Sequence, residues 1–597
     1  LKEDLRDHIK LDKKSSSSYA SYFTDYCIDQ LTQDIMKEYN YTYEDARDMI
    51  YTGGLRIYTT MSKRMQKIVT DEFEQSYNFP YATNIRYDSE SNILDKYGHI
   101  LLYDYDTMFN SRGSFMLDPD DYDTLSKGGL KVYAGKHLSF YDTETDTGNE
   151  ILVQIKPMWV YDSDGMFSSI ESGTLNIPAR FLSKDKSGNL IISRKFVKSK
   201  RGKKFFVKRD GQLLIRKKYY SLKEPVKQPQ SAMVIIHNKT GGIRAMVGGR
   251  DIEGKMLYNR ALSPRQPGSS IKPLAMYSSA IQMGEDAAKA STPMAYKGSD
   301  TSQYGNFLTA SSMIHDAPIK GRDDWPKNWY SGYKGYMSLR KSVEQSVNVN
   351  AVRMYDEVGS DYAISQLKKF GITSLVEGGT VNDENPAALA LGGMTKGISP
   401  LELASAYTTF PNQGVHKSVK CYTKVCNSKG EVLFRSKQQK KRVLSKGTAF
   451  VMTDILRTTV TQGLGVNANI GSQPVAGKTG TTSDNYDMWF AGFTPKYSAA
   501  LWWGNDVNIE LTGTSDNTAS LWGKIMGRVC EGTEWQEFPS MPDSVVQVSG
   551  EYYVNGTQPG FTFYDENGNA VYNNYTYDPE KKKKEEGLNR KNQKKKK

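Results

Sequence analysis

Cysteine is scarce in this 597-residue chain, with only four, at positions 27, 421, 426 and 530. That is too few for a disulfide framework. Cys421 and Cys426 are five residues apart on a strand-like run. An odd offset sends their side chains to opposite faces, roughly 16 Å apart, so they are not expected to pair. Histidine is also scarce, and the six residues at 8, 99, 137, 237, 315 and 416 have no ligand spacing. No metal and no cofactor are expected. No stretch of about eighteen apolar residues occurs, which excludes a transmembrane helix, and no signal peptide opens the chain. These residues are expected to be soluble. Nucleic-acid binding is not expected and is a poor third reading of the positive charge, because no motif for it accompanies that charge.

What is present is length, aromatic residues and positive charge. A chain of 597 residues exceeds one hydrophobic core and should divide into two or three domains. The net charge of +12 is uneven. Residues 580–597 hold ten Lys/Arg against three Glu, the composition of a disordered tail. Residues 194–218 hold twelve Lys/Arg against Asp210. There the cations alternate with Phe196, Val197, Phe205, Phe206, Val207, Leu213, Leu214 and Ile215, as in strands with one wet face. That stretch reads as a solvated β surface, or as a contact for anionic lipid or wall polymer.

Along the chain, residues 1–79 read as a helical linker that packs on the main domain: helices at 22–39 and 43–51, a strand at 55–60 and a short helix near 62–76. Residues 80–224 read as a β-rich inserted module. Residues 225–540 combine a hairpin, a helix-rich middle and late strands around 475–505. That pattern suggests one antiparallel sheet covered by helices, an α+β arrangement. Residues 541–579 read as a small extension with a few strands.

Three short motifs follow in order: Ser269-Ser270-Ile271-Lys272, Ser346-Val347-Asn348 and Lys478-Thr479-Gly480-Thr481. Their serines are 77 residues apart, and Lys478 follows Ser346 by 132. Singly they are weak signals. Ser183 to Lys186 and Ser338 to Lys341 have the first spacing, and Lys239-Thr240-Gly241 repeats the third at a hairpin tip. Taken together, in order, they match the S-x-x-K, S-x-N and K-T-G set of serine acyl transfer. Ser269 follows the turn Arg265-Gln266-Pro267-Gly268 and opens an apolar helix, with Lys272 on its face. A seryl hydroxyl needs a neighbouring base. Lysine serves as that base when burial and a nearby cation, here Lys478, lower its pKa. Ser346 would relay a proton between Lys272 and the leaving amine, and the Asn348 amide would bind the substrate's amide. Both are read at the end of the 339–345 helical stretch. Lys478 to Thr481 read as a cleft-lining strand. Lys478 supplies positive charge, and Thr479 and Thr481 hydroxyls hold a carboxylate. Gly480 permits close backbone approach, so that a peptide can add as a further strand. The N–H groups of Ser269 and Thr481 are the candidate oxyanion hole.

Beyond the motifs, the chain resembles the transpeptidase half of class A (bifunctional) penicillin-binding proteins. The resemblance rests on Gly53-Gly54-Leu55-Arg56-Ile57-Tyr58-Thr59-Thr60, the 233–249 hairpin, and Asn259-Arg260-Ala261 leading into the first motif. Further along it rests on Leu389 to Gly393, Ser399 to Ala404 with Ala406-Tyr407, and Asp487 to Pro495. It implies a penicillin-binding/serine β-lactamase-like fold. It also implies a D,D-transpeptidase in which Ser269 is acylated by the D-alanyl-D-alanine end of a peptidoglycan stem peptide, or by a β-lactam. Comparable proteins carry an OB-like barrel where the inserted module lies. Nothing resembles the glutamate-centred motifs of the family's glycosyltransferase half, and the chain begins at Leu1. A truncated or processed form of a longer protein, anchored at the outer face of the bacterial plasma membrane, is therefore expected. Cell-wall synthesis proteins are candidate partners. Two other readings stand beside it: a hydrolase, either carboxypeptidase or β-lactamase, and a non-catalytic β-lactam sensor. No glutamate motif of the class A β-lactamase kind lies between Asn348 and Lys478.

Overall fold

Two apolar runs flanking a Gly-Gly turn begin the main sheet. In a computed structural model they form the antiparallel strands Gln230–His237 and Gly242–Val247, with Gly241 at φ +64° in the turn. Lys239-Thr240-Gly241 is thus a hairpin tip, as the flanking runs imply. The structure describes residues 21–79, 85–145, 148–161, 167–250, 258–322 and 324–560, with two short strands at Phe563–Tyr564 and Ala570–Val571. The tail at 580–597 lies outside the described residues.

The main sheet has five strands, in the order Gly242–Val247, Gln230–His237, Tyr497–Gly504, Asp487–Phe493, Ala476–Thr481. The third motif therefore occupies an edge strand, antiparallel to its neighbour Asp487–Phe493. The last two of these strands in the chain are buried along their whole length, as expected where helices cover both faces. Helices Lys446–Thr461 and Ser515–Cys530 pack against the sheet. Trp489, Trp502, Trp503 and Trp522 are fully buried in this core. Three of their indole N–H groups donate to Gln266 O, Asp487 Oδ1 and Ala499 O at 2.8–3.1 Å, so burying these rings leaves those donors satisfied.

The opposite edge is closed by the N-terminal segment. Helix Lys63–Phe73 lies along Gly242–Val247, and the Gln66 amide both donates to Met246 O and accepts from Met246 N–H, each at 2.9 Å. A side chain thus does what a further strand would do for an exposed edge. Helices Ser21–Tyr39 and Tyr43–Thr52 and strand Arg56–Thr59 lie close to their expected places. The strand pairs with Tyr422–Cys426. Through these contacts residues 21–79 belong to the same compact unit as Ser231–Trp503 and residues 513–560. All four cysteines are buried free thiols. Cys421 faces Cys27, not Cys426, and the contact with Cys27 together with burial raises its thiol pKa.

The second unit comprises Pro80–Gln230 with Gly504–Thr512. The latter segment falls inside the stretch expected to be transpeptidase alone. It joins the second unit because Ile509 is buried with Ile93, Leu102, Trp159 and Phe167. The strands of this unit divide among sheets of six, four, four and three strands. An OB-fold is a single five-stranded barrel. The basic stretch is not all strand: Arg194–Val197 and Gly202–Phe205 are short helices, followed by strands Phe206–Arg209 and Gln212–Ile215. Ser193 caps the first by accepting from Lys195 N–H at 3.3 Å, and Phe196, Phe205 and Phe206 turn inward. The apolar residues thus have a core to enter without strict alternation.

Candidate active site

The first motif sits on a tight turn. Gly268–Ile271 is a 3₁₀ turn, Pro273–Tyr277 a π segment, and Ser278–Lys289 an α-helix. In a 3₁₀ turn residues three apart eclipse, so Ser269 and Lys272 share a face. Ser269 is half-buried, while Ser270 and Lys272 are completely buried. The turn is locked from below: Ser270 Oγ donates to Pro267 O at 2.7 Å, and the buried Tyr407 hydroxyl donates to Ser270 O at 2.7 Å.

Two glycines bring this turn against the edge strand. Gly268 has φ +51°, and a Cβ there would lie 2.3 Å from Thr481 O. A Cβ on Gly480 would lie 2.4 Å from Pro267 O. Gly480 therefore serves the close backbone approach expected of it, and the partner is the turn carrying Ser269. The Arg265 guanidinium donates to Asp487 Oδ1 at 2.7 Å and ties the entry of the turn to the adjacent strand.

Ser346 and Asn348 do not end a helix together. Ser346 lies in the turn between helices Leu339–Glu344 and Asn348–Val358, at φ +52°. That left-handed conformation is uncommon for a residue with a side chain and costs about 1–3 kcal/mol where it is held. Asn348 opens the second helix, so it is a helix start rather than a terminator. Ser338 merely caps the Leu339–Glu344 helix, accepting from Lys341 N–H at 3.1 Å. Its S-x-x-K spacing is structural. Ser183 lies in strand Leu182–Lys184 of the second unit.

The three motifs meet at Ser346. Lys272 Nζ donates to Ser346 O at 2.9 Å and to Asn348 Oδ1 at 2.7 Å. Lys478 Nζ donates to Ser346 Oγ at 2.9 Å, with Thr479 O and Oγ1 at 3.2 and 3.3 Å. Asn348 Nδ2 donates to Lys327 O at 2.8 Å. Among the described residues, no hydrogen bond joins Ser269 Oγ to Lys272. Burial pulls the Lys478 amine down to about 7. Burial pulls Lys272 well below its ordinary range, and the Lys478 charge adds to it. The edge strand is held from behind by Thr459, whose hydroxyl donates to Gly477 O. Lys478 and Thr479 are buried, and Thr481 is half-buried.

Asp316, Asn328, Tyr407 and the Arg265–Asp487 pair were not expected at the site. Tyr407 and Asp487 lie in segments that carry the resemblance, but nothing in the order of residues tells which backbone atom each would reach. The Asp118, Asp121 and His137 oxygens and nitrogens lie within 4.8 Å of one another in the second unit. His137 Nδ1 and Gln212 already bond these carboxylates.

Residues 304–526 match the family described as the penicillin-binding protein transpeptidase domain. That match takes in Ser346, Asn348 and Lys478 and begins after Ser269. Penicillin-binding protein 1A of Clostridium botulinum is 36% identical over 362 residues, 58% of this chain and 40% of that protein. Penicillin-binding protein 1A of Neisseria cinerea is 27% identical over 558 residues, 90% of this chain and 59% of that protein. The chain thus spans 40–59% of the length of these relatives. The crystal structure of penicillin-binding protein 1A from Haemophilus influenzae aligns with a TM-score of 0.53 at 20% identity, over 90% of this chain and 77% of that one. With its α+β sheet and its three meeting motifs, the chain thus matches the penicillin-binding protein transpeptidase domain over residues 304–526 and is similar to 1A-type penicillin-binding proteins.

Proposed function

We propose that the protein is a peptidoglycan D,D-transpeptidase that works through an acyl-enzyme on Ser269 and is inhibited when β-lactams acylate the same serine. The observation that carries this reading is the convergence of two buried lysines on Ser346 beside the Ser269 turn. A neutral amine has two N–H bonds and one lone pair. Lys272 spends two N–H bonds on Ser346 O and Asn348 Oδ1, which leaves the lone pair for the Ser269 proton. Lys478 has three oxygen acceptors around it, the complement of an ammonium group.

In this reading Ser269 Oγ attacks the carbonyl of the penultimate D-alanine as Lys272 takes its proton. The C–O bond forms, and the oxyanion is held by the N–H groups of Ser269 and Thr481. Ser346 accepts from Lys478, so its own proton is free to pass to the departing D-alanine nitrogen, while Lys272 reprotonates Ser346. The Asn348 amide keeps one N–H for the substrate. Lys478, with the Thr479 and Thr481 hydroxyls, receives the terminal carboxylate, and Gly480 keeps the strand against the turn. An amine from a second stem peptide then takes the acyl group. The N-terminal segment closing the far sheet edge favours a working synthase over a sensor domain.

We infer that the protein works at the outer face of the plasma membrane. Among the described residues no helix is long and apolar enough to cross a membrane. The basic stretch at 194–218 would touch anionic wall polymer or lipid there, and cell-wall synthesis proteins remain candidate partners. The reading is tested by stem-peptide turnover with and without an acceptor amine. Cross-linked product that needs the amine supports transpeptidation. Release of acid alone supports a carboxypeptidase, and a stable adduct without turnover supports a sensor.

A further inference from the structure

A fourth group of side chains converges on Asn348. Strands Met313–Asp316 and Gly335–Ser338 pair antiparallel, and Asp316 at the end of the first is completely buried. A buried carboxylate requires several donors. Asn328 Nδ2 donates to Oδ1 at 2.8 Å, and the Tyr330 hydroxyl and Lys334 N–H donate to Oδ2 at 2.6 and 2.7 Å. With its Nδ2 held, Asn328 can present only its carbonyl oxygen to the start of helix Asn348–Val358. There it accepts from Asn348 N–H at 3.0 Å and Val349 N–H at 3.2 Å. These are two of the four N–H groups a helix leaves unpaired at its start. The local cap position is Val347, which has no side-chain oxygen, so the cap comes from twenty residues upstream. The helix start so fixed carries the Asn348 oxygen that Lys272 meets at 2.7 Å.

We propose that Asp316 and Asn328 are positioning residues for acyl transfer. The Asp316 carboxylate orients the Asn328 amide, Asn328 fixes the first turn of the Asn348–Val358 helix, and that turn holds the Asn348 oxygen against Lys272. This inference rests on the acyl-transfer reading above. The bond pattern is directional. With an amide in place of the Asp316 carboxylate, two amides would face each other, and relieving that clash by rotating Asn328 would turn N–H groups toward Asn348 N–H and Val349 N–H. A misplacement of about 1 Å in a reacting group costs on the order of 10²-fold in rate.

The test uses Asp316→Asn, Asn328→Asp and the double variant, measuring the second-order rate of Ser269 acylation by a penicillin across pH. Asn328→Asp keeps both helix acceptors, and Asp caps as well as Asn, but it sets two carboxylates against each other. Each single variant is expected to lose on the order of 10–10²-fold in rate. In the double variant the inverted pair is complementary again. The amide now at position 316 takes the place of Oδ1 and donates to the carboxylate now at position 328, while the oxygen of that amide keeps the Tyr330 and Lys334 donors. Most of the rate should return. A loosened Asn348 also removes one acceptor from the Lys272 ammonium, and Asp316→Asn removes a buried negative charge as well, so the acidic limb of the rate profile should move to lower pH in that variant. In Asn328→Asp the added carboxylate opposes that shift, and the rate is the readout. Lys478, the cation facing Lys272, is unchanged. A cap of purely structural importance would leave the rate of a folded variant in place. If Asp316→Asn does not fold, Asn328→Asp carries the test alone. Folded single variants with unaltered rate, or a double variant that recovers nothing, would overturn the proposal. Failure of the unaltered protein to be labelled at Ser269 would instead strike the acyl-transfer reading.

Discussion

Replacing Lys478 with Met should make the protein more stable near neutral pH while removing its activity. Lys478 is completely buried, and its amine falls from the ordinary 10.5 to about 7. That fall amounts to about 5 kcal/mol of penalty for the charged form. The sign follows from proton binding in the two states. Below pH 7 the amine is protonated folded and unfolded, and the penalty is complete. Between about 7 and 10.4 only the unfolded chain holds the proton, so stability rises with pH, and above that range the penalty is gone. Met keeps the volume and removes the charge, but it leaves Ser346 Oγ without its donor, a loss of about 1–3 kcal/mol for a buried hydroxyl. The net gain should be about 2–4 kcal/mol at pH 6, should fall as pH rises, and should become a loss of about 1–3 kcal/mol by pH 10.5, where only the missing donor counts. Removing the Lys478 charge also relieves Lys272, whose amine it depresses. The assay is equilibrium urea unfolding followed by tryptophan fluorescence, since four buried tryptophans lie in the unit that holds the site. A variant less stable than the parent at pH 6, or a difference that does not change with pH, would refute the reasoning. So would retained penicillin acylation.

Ser269→Ala should abolish covalent labelling by a penicillin without unfolding the protein, and a normal adduct by intact-mass spectrometry would sink the nucleophile assignment. Lys272→Arg keeps the charge but cannot take a proton near neutrality, so acylation should drop by ~10²–10⁴; retention of more than about a tenth of the rate would contradict a base role. Gly268→Ala puts a Cβ 2.3 Å from Thr481 O at a backbone φ of +51°. It should cost about 1–3 kcal/mol of stability and most of the acylation rate, measured by urea unfolding and stopped-flow; unchanged values would mean the turn and strand move apart freely. Neutralising the cations between Arg194 and Lys218 should leave acylation in solution intact and weaken salt-sensitive sedimentation with anionic wall or membrane preparations. Sedimentation unaffected across a salt series would reduce that stretch to a solvated face.

The sequence alone determined the local chemistry. The order Ser269, Ser346, Lys478, the turn before Ser269 and the hairpin around Lys239 were all legible, because each depends on neighbours a few residues away. The α+β class was legible for the same reason, from runs of apolar residues and breaker-rich turns. The short helices in the basic stretch were not, since Phe196 and Phe205 could leave strand alternation only because a core was there to receive them. Nor was the place of Ser346 and Asn348 legible. A left-handed Ser346 is tolerated only where two helices and two lysines hold it. Only the tertiary structure decided the rest: the edge position of Lys478, the near contact of Gly268 with Thr481, and the support of Asn348 by Asp316 through Asn328. Each joins residues between 12 and 213 positions apart. Their free energy comes from burial and directional hydrogen bonds that exist only once the chain has closed on itself.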